Sequence, residues 1–192
     1  MPPIQAETTD AELLRRSSSG DADAFDAFVL RHERSILRYV SALAETREAA
    51  EDALQESFLS AWRAAGSFRG ESAARSWLFQ IARRALLRRQ RRRAGEPAHP
   101  VPLHELGSEA GWSAAPLPSH VQRLEDRDLI ATCLERLNPL HREVLILREL
   151  EEYTNEQTAN ILALTVQATK SRLHRARLSL LAEVRQELSD EC

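Results

Sequence analysis

The chain has 192 residues, with 26 basic against 29 acidic side chains and a formal net charge of -3, and it is 43% apolar but only 5% aromatic. Net charge therefore identifies no partner, while the few aromatics suit small helical units better than one large core. No apolar run approaches the ~20 residues of a membrane span, no signal segment opens the chain, and its two cysteines, Cys133 and Cys192, make neither a disulfide framework nor a redox motif. A cytoplasmic protein without direct membrane insertion is the default expectation.

Ala, Leu, Arg and Glu dominate and Gly is scarce, which favours helix throughout. Thr9–Glu12 reads as a capping box that opens a first helix. Asp21 opens a second, with Phe25, Phe28, Val29, Ile36, Val40 and Leu43 on one face. A third helix starts at Thr46 and is expected to bury Leu54, Phe58, Ala61, Trp62 and Ala65. After a short connection over residues 66–71, Ser72 caps a fourth helix that turns Leu78, Ile81, Ala82 and Ala85 inward. Residues 9–93 thus form one helical block.

Two charged features stand out in this block. On the third helix Glu48, Asp52 and Glu56 recur at i, i+4 and i+8, with Glu51 and Gln55 beside them. Like charges at that spacing cost ~0.2 to 0.5 kcal/mol per pair, and with no cation of the chain evident to offset them the face suits a basic protein partner or plain solvation. On the fourth helix, Arg83 to Arg93 holds seven arginines and no acid. Arginine at this density attracts phosphate, and Phe68, Trp77 and Phe79 lie near enough in sequence to stack on unpaired bases. The alternative is that Trp77 and Phe79 belong to the core and the arginines only complement the helix dipole.

Residues 94–119 contain Gly95, Gly107 and Gly111 with Pro97, Pro100, Pro102, Pro116 and Pro118, and read as a linker. Helical pattern resumes at about His120 and runs to Leu188. Asn138 and Pro139 start a helix over residues 140–152 with Leu140, Val144 and Leu147 on its apolar side. Thr154 and Gln157 form a capping box for a short helix containing the small Ala159, and Thr165 caps the last one. Two helices joined by so tight a turn are a helix-turn-helix pattern. On the last helix Val166, Thr169, Leu173, Ala176 and Leu180 form the packing stripe, and Gln167, Lys170, Ser171, His174 and Arg175 face away from it. Short polar and cationic groups on the outer face suit a major groove, whereas Arg172 and Arg177 at its flanks suit phosphates.

In order, the strings AEDALQESFLSAWRA, SFRGES, ARSWLFQIARR, LNPLHREVLILRELEEYTNEQTANIL and TVQATKSRLHRARLSLL resemble the extracytoplasmic-function (ECF) sigma factors of bacterial RNA polymerase. The resemblance implies an all-α fold of two small domains: sigma region 2 over 9–93 and a helix-turn-helix region 4 over 120–188, joined by a flexible linker over 94–119. It implies core RNA polymerase and promoter DNA as partners, an anti-sigma factor as regulator, and no enzyme activity, cofactor, metal or small-molecule substrate. Asp52, Gln55 and Glu56 would dock on the polymerase. Phe68, Arg69, Trp77, Arg83, Arg84 and Arg88 would engage the minus-10 element. Gln167, Lys170, Ser171, Arg172, His174, Arg175 and Arg177 would engage the minus-35 element.

Departures limit what is inherited. Arg84 and Arg88 stand where many members have Asn and Asp, and Ala163 stands where the turn often has Gly, so the mechanism transfers and the promoter sequence does not. Two elements two helical turns apart are separated by ~70 Å, whereas a free linker of about 25 residues averages only ~25 to 30 Å. The polymerase must therefore hold the two domains apart, and the isolated chain should bind promoters poorly. Two other readings remain from sequence. One is a one-component transcriptional regulator whose first block senses or dimerises; the other is a metal enzyme, for which His99, His104 and His120 lack a matching Cys or carboxylate constellation.

Overall fold

The computed structural model describes residues 8–70, 73–93 and 124–190, and every regular element in them is helical. The chain divides into two compact units, Met1–Pro100 and Val101–Cys192. Residues 94–119, with His99 and His104, lie outside the described residues, as do Ser72, His120 and Cys192.

The first unit packs α1 (Asp10–Ser18), α2 (Ala22–Leu43), α3 (Arg47–Ala64) and α4 (Ala74–Arg93). Caps start three of these helices where the sequence placed them: the side chains of Thr9, Asp21 and Thr46 accept from the backbone N–H of Glu12, Ala24 and Ala49. At Thr9 only this half of the expected box forms, because the Glu12 carboxylate turns to Arg15 at 2.5 Å instead. Leu14, Phe28, Ile36, Tyr39, Val40, Leu78 and Phe79 are fully buried, and burial of each is worth about 1.5 to 3 kcal/mol.

The inner face of α3 differs from expectation. Ala49, Ala50, Ala53, Ser57, Phe58 and Ala61 are buried, Leu54 is half-buried, and Trp62 is 37% exposed, edge-on to Phe25 with centroids 4.9 Å apart. Small residues let α3 approach α2 and α4 closely, which leaves no room inside for an indole.

In the second unit α8 (Val166–Asp190) is the axis on which α5 (Leu124–Arg136), α6 (Pro139–Leu145) and α7 (Asn155–Leu162) pack. The helix expected over 140–152 is not continuous. It is α-helical only to Leu145; Ile146–Leu150 then form a π-turn, with the Glu151 N–H donating to the Ile146 carbonyl at 2.9 Å. Val144, Leu145, Ile146 and Leu147 are all buried, and four consecutive residues cannot share one face of a regular α-helix. Widening the turn reconciles them. Glu152 follows at φ +56° and ends the segment.

Candidate nucleic-acid and protein interfaces

Three surfaces gather the residues singled out by sequence. The first is a groove of about 440 Å³ between α3 and α4, lined by Asp52, Gln55, Glu56, Leu59, Arg88 and Arg89 among others. Because the small side of α3 packs inward, Asp52 and Gln55 project outward and are exposed, and Glu56 is half-exposed. The acids are not without a cation of their own. Arg89 reaches Asp52 at 2.5 Å and Arg88 reaches Glu56 at 3.4 Å, while Ser60 donates to Glu56 at 3.1 Å. Helical spacing alone cannot show a counter-charge that arrives from another helix. These pairs are solvated, so each is worth little, ~1 kcal/mol at most. Arg89 and the exposed Leu59 escaped the sequence reading; the arginine run and the 52/55/56/59 spacing were the available signals.

The second surface lies where α4 begins. Gly70, at φ +72°, occupies the left-handed region in the connection before α4, and the chain returns so that Phe68 and Trp77 meet with ring centroids 5.3 Å apart. Arg69 and Arg84 are exposed nearby in sequence, and Trp77 is half-buried. Arg88 lies one turn further along α4 and is shared with the groove through Glu56. Two residues behave differently from their neighbours. Phe79 is wholly buried against Tyr39, with centroids 5.1 Å apart and the Arg75 guanidinium 5.6 Å from its ring, so its core alternative holds and it offers no stacking face. Arg83 is only 7% exposed and does not join the outward row of Arg84 and Arg88.

The third surface is built by α7 and α8. Thr154 and Gln157 complete a capping box, with the Gln157 N–H to Thr154 Oγ1 at 3.2 Å and the Thr154 N–H to Gln157 Oε1 at 2.9 Å. Ala163 ends α7 in the left-handed region at φ +54°, and Thr165 Oγ1 accepts from the Ala168 N–H at 3.1 Å to start α8. This three-residue corner sets α7 against α8. Thr169, Leu173, Ala176 and Leu180 are buried as the stripe predicted, and Val166 is half-buried. Gln167, Lys170 and Arg175 are exposed; Ser171 and His174 are half-buried between them. The flanks are more constrained than helical phase suggests. Arg172 is only 7% exposed, and the Arg177 guanidinium donates to Glu149 Oε1 at 2.6 Å.

One histidine that sequence passed over packs on α8 from α6. His141 of α6 sits half-buried against α8, its Nδ1 3.3 Å from Ser179 Oγ. Its pKa is lowered by burial first, then by the positive charges of Arg175 and Arg172. Thirty-four residues separate His141 from Arg175, so only the packing of α6 on α8 brings them to one flank.

The first unit matches the Sigma-70 region 2 family over residues 28–96, and the second matches the Sigma-70, region 4 family over residues 127–180. The ECF RNA polymerase sigma factor SigM of Mycobacterium tuberculosis is 35% identical over 174 residues, covering 91% of this chain and 84% of the relative. The solved structure of CnrH in complex with the cytosolic domain of CnrY is similar at a TM-score of 0.66 with 25% identity, covering 92% of this chain and 97% of that one. The fold is also that of the sigma factor RpoE from Bartonella quintana, solved with the anti-sigma factor NepR, at a TM-score of 0.64, 24% identity, and 84% and 96% coverage.

Proposed function

This chain belongs to the ECF RNA polymerase sigma factors, and from that membership we propose that it binds core RNA polymerase and directs it to promoters as a non-catalytic subunit, under the control of an anti-sigma factor. The observation that carries this reading is the order of the two matched regions, one on each unit. A one-component regulator would have no reason to carry a region 2 unit ahead of its helix-turn-helix. CnrH was solved in complex with the cytosolic domain of CnrY, which supports a protein partner here too. Among the described residues no helix is long and apolar enough to cross a membrane, and the chain would act where the polymerase acts, in the cytoplasm.

Division of labour follows from the three surfaces. Asp52, Gln55 and Glu56 take a basic surface of the polymerase into the groove between α3 and α4, exchanging Arg88 and Arg89 for the partner's own charges. Phe68 and Trp77 present a stacking corner to an unpaired minus-10 base, and Arg69, Arg84 and Arg88 hold its backbone, with Arg83 supporting from beneath. Gln167, Lys170, Ser171, His174 and Arg175 enter the major groove at the minus-35 element. Arg172 braces that face from inside, and Arg177 meets phosphate only on leaving Glu149.

Transcription reconstituted with core polymerase, followed by mapping of start sites, tests this. The expected result is discrete starts with core plus the chain and none with core alone, while the isolated chain binds the same promoters poorly and leaves them closed. Promoter opening by the isolated chain, or starts unchanged by its addition, would overturn it.

A further inference from the structure

Resting on the reading of the α3 face as the polymerase-docking surface and of α4 as the minus-10 surface, we propose that Arg88 couples the two: Glu56 holds its guanidinium in the free chain, and a basic polymerase surface that takes Glu56 releases it to the minus-10 backbone. Helical phase and side-chain contact assign Arg88 to different sides. On α4, Arg84 and Arg88 stand about two and three turns beyond Trp77, so all three share the face that carries the stacking corner. Arg88 nevertheless reaches across the groove, its Nη2 donating to Glu56 Oε1 at 3.4 Å. The same carboxylate oxygen accepts from Ser60 Oγ at 3.1 Å, which orients it from the α3 side. Arg89, about a third of a turn off the Trp77 face, lines the groove and pairs with Asp52 at 2.5 Å.

Charge decides what this sharing does. A phosphate approaching Arg88 meets a carboxylate 3.4 Å from the guanidinium, well inside the ~8 to 10 Å over which salt screens, so the attraction of Arg88 is largely cancelled. A polymerase cation at Glu56 neutralises that carboxylate, and Arg88 then acts with its full charge beside the exposed Arg84. Both side chains of the pair remain nearly half exposed, so the exchange needs only the rotation of long, solvated side chains and no movement of a helix. Linkage makes the effect reciprocal: whatever polymerase docking adds to minus-10 affinity through this pair, minus-10 DNA adds to the affinity for polymerase. A solvated ion pair limits the factor to about two- to fivefold. Asp52 and Arg89 undergo the same exchange within the groove, but Arg89 lies off the face of Trp77 and only Arg88 carries the effect to DNA.

The test compares the full chain, free and in the holoenzyme, for binding to a single-stranded oligonucleotide carrying the minus-10 non-template sequence found by start-site mapping, at one fixed salt concentration. In the free chain Glu56→Gln should raise affinity for the oligonucleotide about two- to fivefold. In an Arg88→Ala background it should gain no more than Glu51→Gln, which removes an acid of the same helix that pairs with Arg47 instead. With saturating core the gain from Glu56→Gln should disappear, because the polymerase already occupies that carboxylate, while Arg88→Ala loses affinity. Without DNA, Arg88→Ala should bind core about two- to fivefold more tightly than wild type, and this gain should vanish when Glu56 is replaced by Gln. The thermal midpoint of each variant controls for folding. Equal gains from Glu56→Gln with and without Arg88, or an Arg88→Ala chain that binds core no more tightly than wild type, sink the proposal. Asp52→Ala and Gln55→Ala separate it from the reading beneath it. If they lose core affinity while the coupling is absent, the proposal fails and the docking surface stands; if their core affinity is unchanged, both fail together.

Discussion

Ala163 holds a left-handed backbone at φ +54° in the corner between α7 and α8, a conformation that costs a residue with a Cβ roughly 1 to 2 kcal/mol. Glycine escapes that strain but loses more freedom on folding, by roughly 0.5 to 1 kcal/mol. Ala163→Gly should therefore stabilise the second unit by about 0.5 to 1 kcal/mol, read as a higher midpoint in denaturant, with promoter preference unchanged. At the other end of the chain His32 is buried against Phe28, its Nε2 2.9 Å from Asp10 Oδ2. Burial lowers its pKa more than the Asp10 carboxylate raises it, so the unfolded chain takes the proton more readily than the fold. Its contribution to stability is complete above the ordinary value of 6.5 and is lost as pH falls through the lower, folded-state value. The unfolding midpoint of the first unit should fall between about pH 7 and about pH 5, and His32→Gln should flatten that slope. The turn at Ala163 was marked in sequence only by the resemblance, and the burial of His32 was not marked at all, because a buried imidazole depends on what stands opposite it.

At the level of the helix, starting signals were legible and lateral relations were not. Thr154 and Gln157 are both committed in their capping box, so Thr154→Ala should cost about 1 kcal/mol in unfolding of the second unit. Promoter binding should weaken as well, because this cap fixes the start of α7 and hence the angle at which α8 is presented. The π-turn at Ile146–Leu150 had no cap or glycine to announce it; its cause is four consecutive apolar residues competing for one interior. Four arginines of the α4 run, Arg83, Arg84, Arg88 and Arg89, divide in three once their neighbours are known. Arg83 is buried, Arg88 and Arg89 pair with acids of α3, and Arg84 faces outward. Composition treats such a run as a single patch, whereas helical phase and the helix alongside separate these four.

For the molecule as a whole, each unit carries its own apolar core: Leu14, Phe28, Tyr39 and Leu78 in the first, and Val144, Ile146, Leu147 and Leu162 in the second. Calorimetry should resolve damage to one unit from damage to the other. Leu78→Ala removes a fully buried side chain and should destabilise the first unit by about 2 to 5 kcal/mol while the midpoint of the second is unmoved.

The sequence by itself determined that the chain is helical, where most helices begin, which side of α8 packs, and the order of strings that marks the ECF sigma factors. These are local properties: a cap acts over three residues, and an apolar stripe repeats every three or four. Tertiary structure alone decided that Asp52 and Glu56 already have cationic partners, that Phe79 belongs to the core against Tyr39 while Phe68 and Trp77 form a corner, and that His141 of α6 meets Ser179 of α8. Each is a contact between elements distant in sequence, and periodicity within one helix carries no information about the residue that another helix brings against it.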